Sequence, residues 1–142
     1  MAPQDDVYEA GRAPKPTDAE LAILRVLWNR GESTVREVHQ QLSKSRSTGY
    51  TTVLKTMQIM VDKGLLERDA SNRSHVFRAN FSEQRIQDQL VGDLVSKAFD
   101  GSVAKLAMRA LSDRPASAEE LEEIRALLNR LENDASAQGE SS

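Results

Sequence analysis

The sequence contains no cysteine, which excludes disulfides, thiolate metal sites and a cysteine nucleophile together. Aromatic residues are scarce: one Trp, two Tyr and three Phe. A core with so few rings has to be filled by Leu, Val and Ala, as in small helical packings. Only two histidines occur, His39 and His75, and they fall in different segments, so a His-based metal site lacks both ligands and spacing. No apolar run approaches the ~20 residues that span a bilayer, and no signal-peptide apolar segment opens the chain. P-loop, GxGxxG and GxSxG motifs are absent, as is any recognisable nucleophile–base pair. The run "EELEE" at 119–123 reads as helix N-terminal charge bias rather than paired catalytic carboxylates. These absences point to a cytoplasmic protein with no membrane insertion, not an enzyme, without metal or cofactor. A small hydrolase is the remote option.

What is present is unevenly charged. The 142 residues carry a net charge of −3, which argues mildly against a nucleic-acid partner. Residues 17–80, however, hold ten Lys/Arg against seven Asp/Glu, a balance of +3, whereas residues 81–142 hold seven against twelve, a balance of −5. A basic module is joined to an acidic one.

Periodicity divides the chain further. Residues 1–16 combine Pro, Gly and charge without a repeat and read as a flexible arm. "TDAE" at Thr17–Glu20 is a capping box, followed by Leu21, Leu24, Leu27 and Trp28 on one helical face as far as Gly31. A second box, "TVRE" at Thr34–Glu37, opens a shorter helix through Leu42 with Val35, Val38 and Leu42 inward. A third helix runs from Tyr50 to Lys63, with Val53, Met57, Met60 and Val61 on its apolar side, and Gly64 ends it. "LLERDA" and "SHVFRA" around "SNR" then read as a β-hairpin. Three helices followed by a hairpin give the order of a winged helix-turn-helix. Beyond Phe81, Ile86, Leu90 and Leu94 mark one helix, Val103 to Leu111 a short second, and "SAEE" at Ser117–Glu120 opens a third. Leu121, Ile124, Leu128 and Leu131 in that last helix step by three, four and three, an a/d seam. Two heptads are too short to stand alone, so the seam must pack on something; a closed bundle and a dimer fit equally well. Residues 134–142 read as a disordered tail.

The third helix raises the functional question, because its first turns carry Tyr50, Thr51, Thr52 and Thr56, mediocre helix formers. Thr51 and Lys55 share an outward face with Gln58 and Asp62, beside Thr52, Thr56, Ile59 and Lys63. Threonine methyls pack on thymine methyls and the hydroxyls hydrogen-bond base edges. Lys44 and Arg46 lie just before the helix and Arg73 and His75 at the hairpin tip, where they suit phosphates. Such a face is ordinarily only solvated surface, and an arginine in a polar turn is often only a solubilising residue. The hairpin, the local positive charge and the helix order favour double-stranded DNA. A winged helix used as a protein–protein interaction module or adaptor is the alternative.

"LWNRGESTVREVHQQL" and "GYTTVLKTMQIMVDKGLLERD" resemble the BlaI/MecI penicillinase-repressor family over about Thr17 to Leu131. The resemblance implies a mainly α fold: a winged helix-turn-helix domain at 17–80, with three helices and a β-hairpin wing, then a C-terminal helical dimerisation domain at 81–133. It implies a transcriptional repressor that binds palindromic operator DNA as a homodimer. Thr51, Thr52 and Lys55 would contact bases or backbone and Arg73 would sit on the wing. The apolar spacing of the C-terminal domain puts Leu121, Ile124, Leu128 and Leu131 at the centre of the expected dimer seam, with Ile86, Leu90 and Leu94 packing beside them. β-Lactam-responsive members are inactivated when a membrane-bound sensor protease triggers cleavage in the C-terminal helices; "GSVAKLAMRAL" places that cut near Arg109–Ala110. The family's Asn-Phe pair is absent there, and so is the cysteine cluster of copper-responsive relatives.

Overall fold

Hydroxyl caps start most of the helices, and they do so where the sequence places them. The computed structural model describes residues 12–71 and 73–141. Helix α1 (Asp18–Arg30) and helix α2 (Val35–Leu42) each begin on a complete capping box. In the first, the Thr17 hydroxyl accepts the Glu20 N–H at 3.2 Å and Glu20 accepts the Thr17 N–H at 2.9 Å. Thr34 and Glu37 repeat the arrangement at the same distances. Helix α3 (Tyr50–Lys63) ends on Gly64, whose φ of 89° lies in the left-handed region that L side chains avoid.

The hairpin follows: β1 (Leu66–Asp69) pairs antiparallel with β2 (Val76–Ala79), Leu66 opposite Ala79. Ser33, in the α1–α2 loop, adds a short bridge to the other edge of β2. Its N–H donates to the Phe77 carbonyl at 3.1 Å, and the Phe77 N–H donates back at 2.8 Å. That bridge ties the wing to the start of α2 and so fixes the two sides of one groove. Arg78 reinforces it by pairing with Glu67 on β1 and Glu32 beside Ser33.

Helices α4 (Glu83–Ala98), α5 (Val103–Asp113) and α6 (Ala118–Ser141) complete the chain. It divides into two compact units at Leu94/Val95, within α4. The sequence-based boundary lay at 80/81, and the difference has a physical reason. Phe81 and Ile86 are buried in the same apolar cluster as Leu24, Val38, Met57 and Phe77, and Leu90 packs against it. The Trp28 indole N–H donates to the Phe81 carbonyl at 3.0 Å. The first half of α4 is therefore part of the winged-helix core. Ile86, only 1% exposed, is corrected from a seam residue to a core residue, and Leu90 is largely taken up there too.

Two further expectations meet differences. Most of the 1–16 arm lies outside the described residues, but Ala13 and Pro16 are buried. The Gln89 side chain holds both backbone groups of Ala13, accepting its N–H at 2.9 Å and donating to its carbonyl at 2.5 Å. Arg12 pairs with Asp93, and Lys63 donates to the Lys15 carbonyl and to the buried Glu20. At the other end, α6 continues through Ser141 instead of stopping near Asn133. Asp134 to Gln138 contain no breaker, and extending an existing helix costs far less than nucleating one.

In the second unit, α5 buries none of its side chains. Apart from half-buried Ile124, every described side chain of α6 is exposed.

Candidate nucleic-acid interface

The Ser33–Phe77 bridge leaves an open groove of about 690 Å³ between the N-terminus of α2, one side of α3 and the wing. Its walls carry Arg36 from α2, Tyr50, Leu54 and Gln58 from α3, Arg68 from β1, and Arg73 and His75 from the hairpin turn. The turn is shaped by Asp69, whose carboxylate accepts the Ser71 N–H at 2.9 Å. Hydrogen bonds from the Ser71 side chain and backbone hold Asp69 below the ordinary carboxylate range, so it is ionised at neutral pH.

The residues expected on the reading face lie where the helix periodicity puts them. Tyr50, Thr51, Thr52 and Lys55 are exposed along α3, and Lys44 and Arg46 are exposed just before it. Tyr50 leaves 45% of its surface open at the first position of the helix. Arg73 and His75 are exposed at the wing and share the groove with Tyr50. Two neighbours on that face are otherwise engaged. The Thr56 hydroxyl donates to its own helix at the Thr52 carbonyl, 2.8 Å away, and Lys63 is held by Glu20 at 2.6 Å.

Electrostatics separates structural cations from available ones. Arg30 pairs with Glu37, Arg78 with Glu67 and Glu32, and Lys63 with Glu20. The Arg78 guanidinium is pushed further up by its hydrogen bond to Glu67. Among the described residues, Arg36, Lys44, Arg46, Lys55, Arg68 and Arg73 have no acidic partner. Six unneutralised cations thus flank α3 before any ligand arrives, a pattern that suits a polyanion. Helix α3 also starts differently from α1 and α2: Gly49 caps it without a side-chain hydrogen bond, which leaves the positive end of the helix uncapped by protein side chains.

Arg36 and Arg68 are not singled out by the sequence, and Gln58 is legible only as a residue on the outward side of α3. Arg36 was legible as an outward residue one place inside a helix N-terminus, but Arg68 faces the groove only because the Ser33–Phe77 bridge sets the wing there.

The residues expected at the dimer seam divide. Leu94, Leu121, Leu128 and Leu131 are exposed, Leu128 and Leu131 by half or more of their surface. Val103, Met108, Leu111 and Leu127 add to this uncovered apolar surface. Arg109 and Ala110 lie exposed within α5.

Comparison with known proteins places this geometry in context. A transcriptional regulator BlaI of Mycobacterium tuberculosis is 31% identical over 116 residues, covering 81% of this chain and 83% of that protein. A penicillinase repressor of Bacillus licheniformis is 23% identical over 122 residues, 86% of this chain and 95% of the relative. A methicillin resistance regulatory protein MecI of Mammaliicoccus sciuri is 18% identical over 114 residues, 80% and 93% of the two chains. Among solved structures, the monomeric form of Bacillus licheniformis BlaI in complex with the blaP half-operator is 27% identical. It matches with a TM-score of 0.47 over 52% of this chain and 90% of that one. The family model described as penicillinase repressor matches residues 16–130, nearly all of the folded chain, and the protein belongs to that family.

Proposed function

We infer that this protein is a transcriptional repressor that binds palindromic operator DNA as a homodimer. One observation carries the reading: the exposed first turns of α3 present Thr51, Thr52 and Lys55 between cations that, among the described residues, no acidic side chain neutralises. The relatives named as regulators and repressors support the same assignment.

In this reading Thr51 and Thr52 meet base edges in the major groove. Lys55 reaches bases or backbone, and Tyr50 borders the entry. Lys44, Arg46, Arg73 and His75 meet phosphates, joined by Arg36 and Arg68. The acidic second unit supplies the dimer, because α6 presents Leu121, Leu128 and Leu131 as exposed apolar side chains. Leu94, Leu121, Leu128 and Leu131 are the seam, with Ile124 beside them. Burial at ~25 cal/mol per Å² drives association against the entropy of joining two chains. A C2 pair then sets two recognition helices about one DNA turn apart, roughly 34 Å. A cut at Arg109–Ala110 would part α6 from the DNA-binding unit and release the operator. Among the described residues no helix is long and apolar enough to cross a membrane, and a DNA-reading role keeps the protein in the cytoplasm.

The test is selection of genomic fragments by the protein, followed by gel-shift titration of the recovered duplex. A recovered palindrome bound in a salt-dependent manner supports the reading; fragments sharing no sequence, or no shift at low salt, overturn it.

A further inference from the structure

The last two residues before Gly49, 47 and 48, are held from α2 by a single side chain. Residues 43–46 are tied to the end of α2 by backbone bonds: Ser43 to the His39 carbonyl, Lys44 to Gln41, and Ser45 and Arg46 to Leu42. Residues 47 and 48 have no such tie. Among the described residues, the one hydrogen bond engaging either of them joins the His39 Nε2 to the Thr48 carbonyl at 2.8 Å. A carbonyl oxygen only accepts, so Nε2 carries the hydrogen and donates it; the Ser43 hydroxyl lies 3.3 Å from the same nitrogen. The imidazole also stands edge-on to the Tyr50 ring, with centroids 5.9 Å apart and planes at 84°. His39 therefore grips both neighbours of Gly49, the residue that starts α3 without a side-chain cap.

Its own position is fixed. Val35, Val38 and Leu42, on the face of α2 that His39 borders, are buried in the core. The ring transmits that rigidity to the two residues that set where Thr51 and Thr52 begin.

We propose that His39 is a positioning residue for sequence readout, which it serves by fixing the start of α3 without touching DNA. This rests on the DNA-reading role above. A ring that orients base-reading residues contributes to selectivity, whereas phosphate contacts made by separate lysines and arginines contribute to general affinity.

The experiment compares wild type, His39→Ala and His39→Gln for affinity to the recovered operator and to a scrambled duplex across a salt series, with Tm measured in parallel. In His39→Ala, operator affinity falls about tenfold, the scale of one hydrogen bond together with a ring–ring packing. Scrambled-duplex affinity and the salt slope stay at wild-type values. His39→Gln, whose amide N–H reaches the Thr48 carbonyl, recovers most of the loss. Should His39→Ala not fold, His39→Phe keeps the ring edge without the donor and is expected to lose operator affinity alone. A folded variant that binds both duplexes as wild type does, or weakens on both in parallel, overturns the positioning role. So does a Gln variant as weak as Ala. Failure of wild type itself to prefer the operator overturns the DNA-reading role instead, so the two failures are distinct.

Discussion

At the scale of single residues, the division between paired and unpaired cations makes separable predictions. Thr51→Ala and Thr52→Ala each remove a hydroxyl and a methyl from the reading face without touching the core. Each is expected to cost ~1–3 kcal/mol on the operator and to relax selectivity at one base step, read by competition gel shift. Arg68→Ala or Arg73→Ala instead weakens all duplexes alike and lowers the slope of log affinity against log salt by about 1 for each phosphate no longer neutralised. Arg78→Ala behaves as neither, because its guanidinium is spent on Glu67 and Glu32. Lys63→Met leaves the buried Glu20 carboxylate without its cation and lowers stability by about 1–3 kcal/mol, measured by urea denaturation. The sequence placed Thr56 and Lys63 on the outward side of α3, and periodicity was right about the side. It could not show that Thr56 would bond back to Thr52 or that Lys63 would find Glu20, a partner forty-three positions away.

At the scale of elements, the capping boxes were the most legible feature. Thr17–Glu20, Thr34–Glu37 and Ser117–Glu120 all form as spaced, because both partners lie within one turn and nothing distant is needed. The Thr34 N–H holds the Glu37 carboxylate below its ordinary value of 4.5, helped by the Thr34 side chain and Arg30. A lowered folded-state value stabilises the protein above that ordinary value, and the contribution disappears as pH falls through the depressed one. Glu37→Gln is therefore expected to unfold at lower temperature than wild type at pH 7. The difference should close as the pH falls through the depressed Glu37 value, read by circular dichroism melts. Gly64 at φ 89° makes a second element-scale test. Gly64→Ala places a Cβ in the left-handed region and is expected to cost about 1–2 kcal/mol of stability, seen as a shifted urea midpoint. Contacts between elements were less legible. The Ser33–Phe77 bridge, the Gln89 grip on Ala13 and the burial of Ile86 join residues far apart in sequence. Helical spacing marked Ile86 as apolar and inward, but not which of two cores would receive it.

At the scale of the whole molecule, the proposed pairing through the acidic second unit would raise the affinity of a small reading surface. A single winged helix makes few base contacts, and doubling it through exposed leucines would multiply the effective local concentration of the second half-site. Leu128→Asp puts a charge on a residue half exposed in one chain and buried in the proposed pair. Sedimentation at micromolar concentration is expected to show a dimer for wild type and a monomer for this variant. Its operator affinity should drop as a consequence, with the winged-helix unit still folded.

Amide chemical-shift mapping on the recovered operator shows which surface of the protein meets the duplex. The largest perturbations are expected at Tyr50–Thr56, at the start of α2 around Arg36 and at the wing around Arg73. Perturbations confined to α5 and α6, with residues 50–56 unmoved by saturating duplex, would contradict the DNA-reading role of α3.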